Sequence, residues 1–251
     1  KNWRKARDTA AFLQFFNMAA AAAGVAPVGL LATMAASGGL ASNSRDYERQ
    51  ADAVGHVLMA ENGYDAQQAA RLWDNLIKEN KAAKDKSHRV FFFATHPPSE
   101  ERSETLGARA EIIEEDGVSR AAHADRYQRI FGKHRLDFLR DELGTKRYGR
   151  LEVLLDRLEQ TPGTAGEIHF FRGELYRLRN GKEDGAKAMA SYAKAIEAGG
   201  KFPTEAYRSL GVMQMRKGDS AGATENLKLY LQKTPDAVDH GLISQILEGL
   251  A

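Results

Sequence analysis

TEAYRSLGVMQMRKGDSAGATENLKLYLQKTP, residues 204–235, is the stretch that decides the fold. Apolar and small residues recur in it at helical spacing, in two runs parted by Gly218-Asp219. Tyr207, Leu210 and Gly211 share a face of the first run; Ala223, Leu227 and Tyr230 share a face of the second. Gly218-Asp219 supplies the turn, and Pro235 stops the second helix. Gly211 lets the second helix lie close to the first, and Ala223 does the same in return. Leu227 and Tyr230 fill the groove towards the next element.

These residues occupy the positions of the 34-residue tetratricopeptide consensus, which the stretch resembles. Residues 168–203 follow it less closely. Gly173 and Tyr176 fall on a first helix and Ala188, Tyr192 and Ala195 on a second, across a longer turn at 180–184. Residues 135–158 read as a further helical hairpin, with Leu136, Leu139 and Leu143, a bend at Gly144, then Leu151, Leu154, Leu155 and Leu158. Residues 237–249 read as a closing helix over the last exposed face. Such arrays bind peptides or protein surfaces on their concave side. A purely structural role, holding the rest of the protein, is the alternative.

Composition fits a folded, mainly helical chain. The apolar share is 43 % and there are only 6 prolines in 251 residues, enough for about two domains. Basic and acidic residues balance at 36 and 34, which argues against a dedicated nucleic-acid surface. Cys is absent, so nothing requires an oxidising compartment. Residues 18–42 carry no charge, but they are mostly Ala and Gly with Pro27 inside. They read as a buried or flexible small-residue segment, with membrane contact the less favoured reading. The expected division is 1–125 and 126–251. The Lys and Arg residues of 126–150 alternate with apolar positions and read as a solvated helix face.

Ahead of the repeats, a helix is expected from Asp46 to Glu61, capped by Ser44 or Asp46 and ended by Asn62-Gly63. Ala51, Val54, Gly55, Leu58 and Met59 form its expected inner face. Ala51 and Gly55 would let a partner helix approach. A second helix follows from Ala66 to about Asn80, with Ala69, Leu72, Trp73, Leu76 and Ile77 as its stripe. The prolines of Thr95-His96-Pro97-Pro98 force an extended path, and Ser99 can cap a third helix.

The chemistry concentrates in Ser44-Arg45-Asp46-Tyr47-Glu48-Arg49-Gln50-Ala51-Asp52. Glu48 and Asp52 are four apart, so both point the same way from one helix. One carboxylate can ligate a metal while the other orients a ligand histidine. By spacing alone such a pair is usually a solvated face. His56 continues the stripe, but Glu48 to His56 spans about 12 Å of helix rise, too far to share one ion. His56 reads as a packing or surface residue.

The order of Ser-Arg-x-x-Glu-x-x-Ala-Asp at 44–52, Asn62-Gly63-Tyr64-Asp65, and Thr95-His96-Pro97 followed by Arg102 resembles the HExxH zinc metallopeptidases of the HtpX and BepA kind. The likeness covers about residues 44–110. It implies an all-α fold in the main: the C-terminal part of a zincin-type domain, then a solenoid of tetratricopeptide-like repeats. It implies that Glu48 is a zinc ligand and that Asp52 orients a ligand histidine. His96 would lie near the metal, as a transition-state donor or as a gate at the water position, and Arg102 would support the same site. The bland reading of His96 is a loop histidine capping the proline turn. Protein or peptide substrates, envelope assembly partners, and a periplasmic or cell-envelope setting in a Gram-negative bacterium are also only implied. One element departs from the pattern: none of the 7 histidines is followed by Glu, so His-Glu-x-x-His is absent from this sequence. The family places that helix just upstream of Lys1. The chain by itself is expected to bind zinc poorly and to cleave nothing.

Overall fold

The computed structural model describes residues 48–83, 100–115 and 121–250. Among them there are helices and no strand, with one isolated parallel bridge between Tyr64 and Ala121. The expectation of a mainly all-α chain is met. The small-residue segment 18–42, residues 90–98 with His96, and the proposed caps Ser44, Asp46 and Ser99 lie outside the described residues. The chain forms two compact units, one of 1–73 with 92–122 and one of 74–91 with 123–251.

The first unit holds helix α1, described over 48–61, the first half of α2 (Gln67–Ala82) and α3 (Glu100–Glu114). Asn62-Gly63 ends α1 as expected: Gly63 takes a φ of 77°, and Tyr64 N–H donates back to Met59 O at 2.9 Å. Asp65 then starts α2, its side chain accepting from Gln67 N at 2.9 Å. Ala66, Ala70, Trp73, Leu106 and Ala110 form the buried apolar set.

The expected inner face of α1 is not the observed one. Val54 is 60 % exposed and Leu58 53 %, while His56 is only 2 % exposed. The helix turns on its polar side because that side has partners. His56 donates from Nε2 to Ala66 O at 2.9 Å, and Asp52 meets Arg102. His56 is thus a packing residue. Nothing described lies within 4 Å of where a Gly55 side chain would begin, so Gly55 serves no close helix approach there. On α2 the buried apolar residues are Ala70 and Trp73, whereas Leu72 is exposed.

The second unit takes 74–82 of α2 and then a run of helices: α4 (Ala124–Phe131), a short 3-10 turn, α5 (Arg135–Gly144), α6 (Tyr148–Leu158), α7 (Ala165–Arg179), α8 (Asp184–Ala198), α9 (Glu205–Arg216), α10 (Ser220–Lys233) and α11 (His240–Leu250). From α6 onward each helix packs on the next. Leu139, Leu151, Leu155, Ile168, Phe171 and Leu175 share one core with Ala188, Tyr192 and Ala195. Tyr207, Leu227, Tyr230 and Ile243 form a second. Two glycines permit close approaches within the arm. A side chain on Gly173 would begin 2.5 Å from the Tyr192 ring, and one on Gly211 would begin 2.8 Å from Leu227 Cγ.

Some basic residues expected on a solvated face are paired and part-buried. Arg135 meets Glu167 at 2.7 Å and Arg150 meets Glu79 at 3.3 Å. Glu79 is buried and also takes Arg157 at 2.7 Å. Asp184 closes the α7–α8 turn. It accepts from Gly181 N and from both Nε and Nη2 of Arg179, each at 2.8 Å.

Gly173→Ala is expected to lower stability by about 1–3 kcal/mol through overpacking against Tyr192. Urea denaturation reads this as a lower midpoint at unchanged slope; an unchanged midpoint would contradict the packing. The Arg179 guanidinium holds the Asp184 carboxyl down from its ordinary 3.8 to about 2. A depressed carboxyl stabilises the fold above its unfolded value and loses that contribution as pH falls through the folded one. Between about pH 4 and about pH 2 the native protein should therefore lose stability more steeply than Asp184→Asn. Parallel curves would remove Asp184 from the account.

Candidate functional site

Glu48 and Asp52 project from one face of α1, one turn apart. Arg102, third residue of α3, reaches both. Its Nε donates to Asp52 Oδ2 at 2.8 Å and its Nη2 to Asp52 Oδ1 at 2.6 Å. This is the two-pronged guanidinium–carboxylate fit, which fixes angle as well as distance. The Nη1 lies 3.0 Å from Glu48 Oε2. One guanidinium therefore spans two carboxylates from successive turns of a helix.

The back of Arg102 rests on Trp73. Its guanidinium carbon stands 3.9 Å from the centre of the indole ring, a cation–π contact that also shields the pairs from water. The side chains of Arg102, Asp52 and Glu48 are 12 %, 17 % and 20 % exposed. Ser103, the next residue, donates to Ala70 O at 3.2 Å and anchors α3 to α2. A second ion pair, Arg49 to Glu101 at 2.6 Å, joins α1 to α3 at the surface.

Three of the four residues singled out in the sequence thus come together: Glu48, Asp52 and Arg102. His96 lies outside the described residues. Trp73 was read only as part of an apolar stripe, and its place beneath Arg102 was not foreseen. A lone Trp on an amphipathic helix signals burial, and nothing in its spacing points to an Arg far along the chain. Asp52 accepts two bonds from Arg102, but a carboxylate has about four acceptor positions, so room remains for a histidine.

A zinc ion bound by protein side chains takes three or four of them. Among the described residues no group of three or more His, Cys, Asp or Glu could hold a metal ion. The two-pronged Arg102 contact goes to Asp52, and Glu48 meets the remaining Nη1. By themselves the described residues do not make a zinc site.

Arg102→Ala would leave two shielded carboxylates facing each other over an indole. A loss of about 1–3 kcal/mol is expected, the lower end reflecting residual exposure. Arg102→Lys keeps the charge but loses the fork and should fall between. Denaturation followed by tryptophan fluorescence checks both; equal stability of all three proteins would rule out the clamp.

Residues 5–110 match the model of peptidase family M48. No curated protein and no solved structure matches the chain. The match takes in α1, all of α2 and most of α3, and so all of the cluster around Arg102. The family is zinc-dependent in general. Over residues 5–110, this chain is similar to the metallopeptidases of family M48.

Proposed function

We propose that the chain is part of a zinc endopeptidase in which the first unit presents Glu48 to the metal and the helical arm takes hold of protein substrates. The observation that carries the first half is the Arg102 clamp. It holds Glu48 inward, on a helix that lies within the match to a metallopeptidase family. The chemistry a zinc ion brings when bound is a water acidic enough to attack a peptide carbonyl. What this chain contributes is placement. Glu48 offers the carboxylate, Arg102 sets its direction, and Asp52 fixes Arg102 while keeping acceptor capacity for a ligand histidine. His96 stands as a transition-state donor or a gate beside the metal. The two histidines of His-Glu-x-x-His are not in this sequence.

The second half rests on the arm. The resemblance of 204–235 to the tetratricopeptide consensus, and the packing of each helix from α6 onward on the next, support a stacked surface suited to extended or partly unfolded chains. A BepA-like part in protein quality control at a bacterial cell envelope is the setting we favour. No described helix is long and apolar enough to cross a membrane.

A second reading follows from Arg102 itself. Its guanidinium already sits against Glu48, and the described residues form no metal group. On that reading the first unit is an inactive remnant, and the arm is a chaperone-like binding module.

The test uses the protein as its gene encodes it, with zinc content measured by elemental analysis and proteolysis measured on casein. The first reading expects bound zinc and cleavage. Glu48→Gln should weaken metal retention by about 10-fold or more, as loss of a metal-site carboxylate does, and cleavage should fall with it. The 251-residue chain alone should cleave nothing. Zinc and proteolysis untouched by Glu48→Gln would overturn the ligand assignment. Absence of both from the encoded protein would leave the second reading.

A further inference from the structure

The second unit carries a cleft of about 270 Å³ lined by Glu159, His169, Arg172, Ala190, Ser191 and Lys194. None of these residues belongs to the cluster around Arg102. His169 and Arg172 stand one turn apart on α7, and Ser191 and Lys194 one turn apart on α8. Two packed helices thus each turn a basic and a second polar side chain towards the same space.

The groups differ in how firmly they are held. Arg172 is fixed, with Nη1 donating to Asp156 Oδ1 at 2.7 Å and Nη2 to Glu159 Oε2 at 2.8 Å. Lys194 is exposed and makes no hydrogen bond or ion pair among the described residues. The Ser191 hydroxyl donates to Lys187 O and keeps its lone pairs. His169 Nε2 stands 3.8 Å from Glu159 Oε1, too far for a hydrogen bond, and its buried Nδ1 has no partner. Burial pushes the imidazole towards neutrality; Glu159 opposes this, and Arg172 and Lys194 add to it.

Glu159 is the revealing member. It sits just past the last turn of α6, with its side chain 38 % exposed, and reaches in to the Arg172 fork. Its carboxylate fills a place that another carboxylate could take, while Lys194 waits uncommitted on the far wall. The methyl of Ala190 offers contact to the methylenes of a longer acidic side chain.

We propose that this cleft binds a carboxylate of a protein chain, held between Arg172 and Lys194 beside His169, with Glu159 as the occupant it displaces. The proposal rests on the reading of the arm as a surface for protein chains. The incoming carboxylate takes the place that Glu159 holds beside His169, so its arrival is read at the His169 ring without a net uptake of protons.

The probes are short fluorescent peptides with a central Glu-Glu, capped at both ends, against a Gln-Gln counterpart capped in the same way. A third probe is the Gln-Gln peptide with a free C-terminal carboxylate. Anisotropy gives affinity, and the His169 ring resonances give site and protonation. One ion pair of this exposure corresponds to about fivefold in affinity. A carboxylate-bearing peptide should exceed the capped Gln-Gln peptide by about that factor and move the His169 resonances. The arm that does so identifies side chain or chain end as the source. Lys194→Ala, on an exposed residue, should remove the preference without unfolding the arm, and Glu159→Gln should sharpen it. Equal binding of all three peptides overturns the proposal, as do motionless His169 resonances or no effect of Lys194→Ala. If denatured casein still binds the arm in that case, the cleft fails and the arm reading stands; if casein does not bind either, both fall.

Discussion

The grip of Arg102 on Asp52 and Glu48, laid over the Trp73 ring, is the contact on which the first unit depends. It joins α1, α2 and α3 through four side chains. Charges this shielded are costly to hold apart and expensive to leave unpaired. That cost explains the orientation of α1. The helix exposes Val54 and Leu58 and turns its acidic face and His56 inward. Apolar transfer alone favours the opposite, so the polar partners decide the rotation. The same contact aims Glu48, and a carboxylate with a fixed direction is what a metal site requires of its protein.

The second unit stands on different physics. Its helices are set by small residues placed where a neighbour must come close, with Gly173 under Tyr192 and Gly211 under Leu227. Polar side chains then lock the turns. Asn180 caps α7 in the left-handed region, Asp184 gathers Gly181 and Arg179, and Asp219 caps α10 through Gly222 N. Tyr192 donates to Glu174 inside the α7–α8 packing. Each pair of helices is specified by residues within about 40 positions, the range that sequence periodicity reaches.

That difference in range explains what could be read from the sequence. The leucine stripes of 135–158 and the Ala188, Tyr192 and Ala195 face stand where their spacing puts them, since helix, turn and partner are local. The face of α1 was misread because its partners, Arg102 and the Ala66 carbonyl, do not appear in its own periodicity. Arg135 and Arg150 looked solvated for the same reason, their acids lying at Glu167 and Glu79. The grouping of Glu48, Asp52 and Arg102 was legible through family resemblance, not through spacing. Trp73 had no such signal, and its role emerges only from the stacking geometry.

The central claim is that the Glu48 carboxylate is built to face a metal ion. Anomalous diffraction at the zinc edge, from crystals of the protein as encoded by its gene, addresses it directly. The account places a zinc ion with a Glu48 oxygen at about 2.0–2.2 Å, the usual carboxylate distance, and Arg102 still engaged with Asp52. A zinc ion bound without Glu48, or a Glu48 carboxylate turned to bulk water, would contradict it.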